Sequence, residues 1–405
     1  MRHRNAIPSL TFLSVLTPFL TGQAPADAAP SATLSPLSQR VAAANDFAFA
    51  MQRQLDSGNS FCSPYSVSAA FAICWAATNG ETHADIGKVL LFGQEAEVVH
   101  RTTAELQKSL TPSKAPYELA VANRLWGNQG ESAGYYQQPF LQAMQRHYGA
   151  CFESVDFSVP EAARTQINGW VSEQTRTRIP NLIPEGGVDA STVFVITNAV
   201  YFKATWQRAF DAKLTKEGEF RVDPEHAVKV PLMHQSGEFE SGRVDECEAL
   251  ALPYEGGALR MLVLLPNQGV AELEQSLSHA MLGKVRASLR KQRLGVTLPR
   301  FQMSTAYPLH EKVLPALGMN APFVPSNDWA PLNGGKEPLA ISSVYHNAFV
   351  AVDEQGTEAA AATAIVAIRG GRPKSFVANR PFVFVIEHVE TGLLLFVGRV
   401  QDPAK

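Results

Sequence analysis

The segment that most restricts the choice of fold is residues 353–375, because its parts ask for incompatible structures. It opens with Asp353-Glu354-Gln355-Gly356-Thr357-Glu358. It continues through Ala359, Ala360, Ala361 and Ala362, then Thr363 to Ile368, and closes on Arg369-Gly370-Gly371-Arg372-Pro373-Lys374-Ser375. Consecutive alanines favour helix, whereas Thr363, Ile365, Val366 and Ile368 favour strand. Arg-Gly-Gly-Arg-Pro has the composition of an exposed loop tip, where proteases cut. Strand-like runs flank the segment, Val344 to Val352 before it and Pro381 to Ile386 after it. A stretch of about 20 residues without a clear element, inside a compact domain, is functional or disordered. If the chain is extended from Thr357, one face carries Thr357, Ala359, Ala361, Thr363, Ile365 and Ala367. That face has no charge and nothing bulky before Ile365, so it could slide between existing strands and lie against a core. Glu358, Ala360, Ala362, Ala364, Val366 and Ile368 point the other way. A low-complexity surface loop fits the same pattern.

The rest of the chain offers material for a large core: 405 residues, 45% hydrophobic. A net charge of -3 does not suggest a nucleic-acid or membrane-surface partner. The start has the form of a signal peptide over residues 1–28. Arg2, His3 and Arg4 are basic, Ile7 to Leu20 is mostly apolar, and Ala26-Asp27-Ala28 fits a cleavage site before Ala29. The expectation is export, to the periplasm or the extracellular space, with a disordered mature N-terminus at 29–37 and one domain at 38–405. Cys62, Cys74, Cys151 and Cys247 are widely spaced, and Cys62 and Cys74 sit in apolar surroundings that read as core. Nothing in the spacing of Cys and His suggests a metal site, and no cofactor is implied.

Residues 38–57 carry Val41, Phe47, Met51 and Leu55 at helical spacing. A short strand then meets a helix from about Val67 to Asn79, with Ser63 and Pro64 at its start. Residues 117–126 alternate as a strand. Gly130-Glu131-Ser132-Ala133-Gly134 satisfies the nucleophile-elbow pattern of serine hydrolases. The elbow needs a strand running directly into it and a helix directly after, yet Gly127-Asn128-Gln129 intervene and the next helix starts near Pro139. An esterase at Ser132 is therefore a remote alternative. Residues 161–179 read as a helix, and Thr192 to Lys203 as a strand apolar on both faces, hence covered on both. Its one amide, Asn198, needs a partner. Further strands are expected at Val228 to Met233, Ala249 to Tyr254, Leu259 to Leu265, Val296 to Phe301, 341–352 and 393–400. A helix at 271–293 would end in Arg286, Arg290, Lys291 and Arg293, a basic cluster suited to a polyanion or simply to solvent.

Several of these runs together resemble the serpins, a family of serine (sometimes cysteine) protease inhibitors. Glu354-Gln355-Gly356-Thr357-Glu358-Ala359-Ala360, followed by a variable loop and Asn379-Arg380-Pro381-Phe382-Val383-Phe384, is similar to the serpin hinge, reactive loop and C-terminal strands. Asn59, Ser63, Pro64 and Ser66 match a family helix entry. Asn198-Ala199-Val200-Tyr201-Phe202-Lys203 through Trp206 matches a family strand. Ile167-Asn168-Gly169-Trp170-Val171, Leu252-Pro253-Tyr254, Met261 to Pro266 and Phe396 to Val400 are also family-like. The resemblance covers roughly residues 38–403.

The resemblance implies an α+β fold with several helices around a large central mixed sheet, two smaller sheets, and an exposed reactive loop at about 354–375. It implies a suicide substrate rather than an enzyme. A protease cuts the loop, forms an acyl-enzyme, and is trapped when the loop inserts as a new central strand; loop insertion of this kind is a known serpin device. It places Ser63, Ser66, Asn198 and His346 together where the sheet opens, although ordinary capping accounts for Ser63 and a satisfied core histidine for His346. Family spacing counted from Glu354 puts Gly370 before the cut. Arg369-Gly370 suits a trypsin-like pocket and is preferred over Gly370-Gly371 and Ile368-Arg369. The hinge Gly356 to Ala362, uncharged on the face of Thr357, Ala359 and Ala361, favours an inhibitor over a non-inhibitory, binding or chaperone-like relative. The expected partner is a serine protease in a covalent complex with a monomer.

Overall fold

The strand Phe194–Thr205 is the axis of the molecule, and its first nine residues are all buried. A run apolar on both faces must be covered on both, and here one cover is helical while the other is a second sheet. In this computed structural model the described residues are 1, 34–93, 95–129, 136–148, 152–357 and 374–405. Ser35–Lys405 forms one compact unit.

The strands of the described residues form two sheets. In the six-stranded sheet the order is Phe301–Pro308, Ser343–Val352, Gly356–Thr357, Phe194–Thr205, Tyr117–Asn128 and Phe152–Val155. The sheet is mixed. Ser343–Val352 also runs parallel to Phe194–Thr205, with Ser343 opposite Val195 and Phe349 opposite Tyr201. The second sheet has nine strands. The strands expected to form two smaller sheets are joined into one because Ala227–Arg243 is a single 17-residue strand. It pairs with Lys216–Arg221 at its start, with Cys247–Pro253 at its end, and with Arg290–Pro299 over most of its length.

Phe61, Phe202, Phe384 and Phe396 fill the space between the sheets. Phe396 stacks on Phe61 at 5.0 Å and meets Phe202 at 5.5 Å. The outer face of the six-stranded sheet is covered by Pro160–Gln174, whose Ile167 and Val171 pack with Trp126, Val195 and Ala199. That helix is shorter than the expected 161–179. The outer face of the second sheet is covered by Val270–Ser276 and His279–Ser288. Pro64–Ala76 is buried almost all round, and its N-terminus sits under the six-stranded sheet. Ser63 caps it by accepting from the Ser66 N–H, and Pro64 occupies the first turn, where no backbone donor is needed.

Other boundaries also differ from the sequence reading. The first helix is Pro36–Gln52, capped by Ser35. The expected disordered stretch 29–37 therefore ends earlier, because Ser35-Pro36 is itself a helix start. The expected helix 271–293 breaks at Leu277, and Ser278 caps a second helix. Arg290, Lys291 and Arg293 lie on the Arg290–Pro299 strand, not at a helix end. Cys62, Cys74 and Cys247 are buried and form no disulfide among the described residues. Residues 2–33, Cys151 and Ser132 lie outside the described residues. Among the described residues, no cluster of side chains is suited to a metal ion and no helix is long and apolar enough to cross a membrane.

The aromatic contact between the sheets carries a large share of the packing. Phe396→Ala should cost about 3–5 kcal/mol, the usual cost of emptying an aromatic core site, and should be read as a lower urea midpoint.

Candidate functional site

Two adjoining constellations lie along the seam where Ser343–Val352 meets Phe194–Thr205. The lower one is polar and enclosed. His346 and Asn198 are register partners across the seam, and both are buried. The Ser63 backbone N–H donates to His346 Nε2 at 3.0 Å. Nε2 must therefore be the acceptor, so Nδ1 carries the proton and donates to Asn198 Oδ1 at 2.5 Å. The Asn198 amide donates in turn to Ser66 Oγ at 2.6 Å and to Asn123 Oδ1 at 2.5 Å. Asn123 Nδ2 donates to the Ser66 carbonyl at 3.0 Å. Ser63 Oγ donates to the Leu395 carbonyl at 2.7 Å, which ties the helix start to the second sheet. Burial holds the His346 imidazole neutral, with its pKa lowered to about 4. Ser63, Ser66, Asn198 and His346 are thus brought into one chain of hydrogen bonds. Asn123 belongs to it and escaped the sequence reading. Its signal was a second amide on a neighbouring strand, and it stands directly opposite Asn198 in register.

The upper constellation holds the first residues of the expected hinge, Glu354 to Thr357. Gly356–Thr357 forms a two-residue strand wedged between the two seam strands. Thr357 pairs with Val352 on one side and with Ala204 on the other. Gly356 has φ +156°, and a Cβ there would lie 2.1 Å from the Ala204 carbonyl oxygen, so only glycine fits. Thr357 is fully buried, and its hydroxyl meets the Tyr254 hydroxyl at 2.8 Å. Trp206 clamps the approach. Its backbone N–H donates to the Gln355 carbonyl at 2.8 Å, and its indole N–H donates to the Asp353 carbonyl at 3.0 Å. Its ring stacks on Tyr254 at 4.6 Å.

Glu354 is buried and engaged. Arg300 Nη2 reaches both of its oxygens, at 2.5 and 2.6 Å, and Thr215 Oγ1 donates to Oε1 at 2.6 Å. Burial works to raise the Glu354 pKa. The bonds from Thr215 and Arg300, with the Arg300 charge, more than offset it, so the carboxyl is held below its ordinary value. Thr215 and Arg300 also escaped the sequence reading, because nothing local in sequence couples them to residue 354. Glu358, Ala359, Ala360, Ala361 and Ala362 lie outside the described residues, as do Arg369, Gly370 and Gly371.

The basic cluster does not assemble. Arg286 Nε donates to the buried Glu387 at 2.9 Å and Arg286 Nη2 to the Gly392 carbonyl at 2.8 Å. Lys291 faces Glu240 and Arg293 faces Glu238 across the sheet. Arg286 is spent inside the fold, and two of the other three have acidic neighbours.

A model of the serpin (serine protease inhibitor) family matches residues 42–403. A leukocyte elastase inhibitor of Bos taurus is 38% identical over 362 residues, 85% of this chain and 93% of the relative. An uncharacterized serpin-like protein of Thermococcus kodakarensis is 37% identical over 373 residues, 90% of this chain and 85% of the relative. Uncleaved ovalbumin superposes with a TM-score of 0.80 at 27% identity, covering 90% of this chain and 100% of that one. Human thyroxine-binding globulin, complexed with thyroxine, gives 0.81 at 27% identity, covering 91% and 100%.

The neutral imidazole makes the seam acid-sensitive. A proton on Nε2 would oppose the Ser63 N–H and break that bond. The folded pKa is below the unfolded one, so the contribution of His346 is full above about pH 6.5 and falls away as pH drops toward 4. A shift from 6.5 to about 4 corresponds to about 3 kcal/mol at most. Urea midpoints measured across pH 4–7 should fall steeply for the native chain and less steeply for His346→Gln. Equal slopes would remove His346 from this role.

Proposed function

Because the chain belongs to the serpin family, we propose that it is an exported inhibitor that traps a serine protease by giving up its reactive loop as a substrate. Family membership and relatives named as elastase inhibitors support protease inhibition over catalysis. The observation that carries the insertion mechanism is the wedge. Gly356–Thr357 is already bonded to both strands between which the remainder of the loop would enter.

The energetics hang on side chains. A new strand of about 14 residues at ~3.3 Å each spans roughly 45 Å, the width of a domain. Fixing its backbone costs about 1–2 kcal/mol per residue. Up to two ladder bonds per residue return about 0.5–1.5 kcal/mol each. These terms nearly cancel, so burial of the inward side chains sets the sign. Thr357, Ala359, Ala361 and Thr363 are small and uncharged, whereas a charge on that face would cost several kcal/mol. The polar chain at His346 and Asn198 holds the same two strands together below the wedge, and it is the barrier that insertion must break.

The cut is proposed at Arg369-Gly370. An arginine suits a deep acidic pocket, whereas elastase pockets are small. The target is therefore trypsin-like despite the names of the relatives. Export rests on the basic start, the apolar run to Leu20 and Ala26-Asp27-Ala28.

Mixing the protein with trypsin should give a covalent complex that survives SDS, and mass spectrometry of the released peptide should place the cut after Arg369. Cleavage without any complex would instead make this a non-inhibitory, binding member of the family. Thr357→Arg should turn the inhibitor into a substrate, with a severalfold rise in inhibition stoichiometry. An unchanged stoichiometry would sink the insertion model.

A further inference from the structure

A cavity of about 540 Å3 lies directly behind the hinge clamp, within the usual size for small-molecule sites. It opens where two strands of the second sheet part. Ala227–Arg243 and Cys247–Pro253 are paired only between Glu240, opposite Ala251, and Arg243, opposite Glu248. Beyond that point they diverge. Glu238–Glu240 form one rim and Ala251–Pro253 the other, and Trp206, Gln207 and Arg208 close the cavity. Trp206, Phe239, Leu252 and Pro253 give it an apolar wall.

Its charges do not balance. Arg260 serves Glu387 at 2.7 Å and reaches Glu240 at 3.6 Å. Glu240 also faces Lys291, and Glu238 faces Arg293. Each carboxylate around the cavity therefore has a cationic neighbour. Arg208 is exposed and has no carboxylate partner among the described residues. The tip of its guanidinium abuts Gly237, where a Cβ would come within 1.7 Å of Nη1. The missing side chain at 237 leaves the room that Arg208 occupies. An apolar wall with one uncompensated guanidinium is complementary to a monoanion carrying an apolar body.

The same cavity touches the moving part of the molecule. Trp206 to Arg208 directly continue the Phe194–Thr205 strand, one of the two that must part. Trp206 holds Asp353 and Gln355, and the Gln207 N–H donates to the Pro253 carbonyl at 2.9 Å. Both rims belong to the other sheet. A ligand gripping Arg208 together with either rim ties the end of the seam strand to that sheet in its present, closed position. Such a ligand has a higher affinity for the closed form than for the opened one, which is the condition for slowing the opening.

We propose that this cavity binds a small organic monoanion with an aromatic body, and that its occupancy slows loop insertion. The second half rests on the inhibitory reading above; the first does not. The test uses the full chain and two probes of the same shape, anilinonaphthalene sulfonate and the uncharged N-phenyl-1-naphthylamine. The sulfonate should bind about tenfold more tightly than the uncharged probe, and Arg208→Ala should remove that difference, the loss expected for one charge-assisted contact. Gly237→Val, which obstructs the Arg208 position, should do the same. Equal binding of the two probes, or indifference to both substitutions, overturns the site. With the sulfonate bound, trypsin should be trapped less efficiently by the native chain and with unchanged efficiency by Arg208→Ala, which leaves the hinge untouched. Binding that depends on Arg208 without any effect on trapping overturns the coupling alone. If no trypsin complex forms even without probe, it is the inhibitory reading that fails, and the binding result still stands or falls by itself.

Discussion

The hydrogen bond from His346 to Asn198 is the contact on which the architecture turns. It joins side chains on two strands that are also joined by a backbone ladder, and it does so at the point where the start of a helix supports both. The bond needs a proton on Nδ1. The Ser63 N–H donates to Nε2, which must then be unprotonated, so the ring is held neutral with its one proton on Nδ1. The Ser63 N–H is in turn positioned by the Ser63-Pro64 helix start. A local sequence choice at residues 63–66 therefore sets the protonation form of a residue nearly 300 positions away, and through it the strength of the seam.

Above that bond the seam is open by two residues. The wedge is held from three directions: backbone pairing on both edges, the Thr357–Tyr254 hydroxyl pair, and the Trp206 clamp on residues 353 and 355. Glu354 adds an anchor to Arg300 and Thr215. A buried carboxylate is costly unless it is paired and hydrogen-bonded, and this one is both. The hinge is thus a well-satisfied structure at its root, and the positions that continue the Thr357 face, Ala359, Ala361 and Thr363, are uncharged and small in sequence.

Much of this was legible in the residues. The apolar run from Thr192 to Lys203 announced a strand covered on both sides, and Ser63-Pro64 announced a helix start; of the hinge expected over Glu354 to Ala362, only Glu354 to Thr357 lie among the described residues. What was not legible is what depends on distant partners. Asn123, Thr215 and Arg300 carry no local mark, and their roles follow from strand register alone. The helix expected over 271–293 shows the opposite failure. Its periodicity is helical, but Ser278 offers a cap that divides it, and pairing with Ala227–Arg243 draws Arg290 to Pro299 into the sheet. Tertiary pairing overrides local propensity there, and the apparent basic cluster dissolves with the helix that was to display it.

The two seam strands, Ser343–Val352 and Phe194–Thr205, run in the same direction, while their other long neighbours run opposite to them. Parallel pairing is slightly weaker per residue than antiparallel pairing. The two-residue wedge is antiparallel to both seam strands. A strand that continues in its direction replaces one like-oriented junction with two opposed ones. The centre of the sheet thus starts with its least favourable alignment at the place where a further strand would correct it, and connectivity, not side-chain chemistry, supplies that part of the bias.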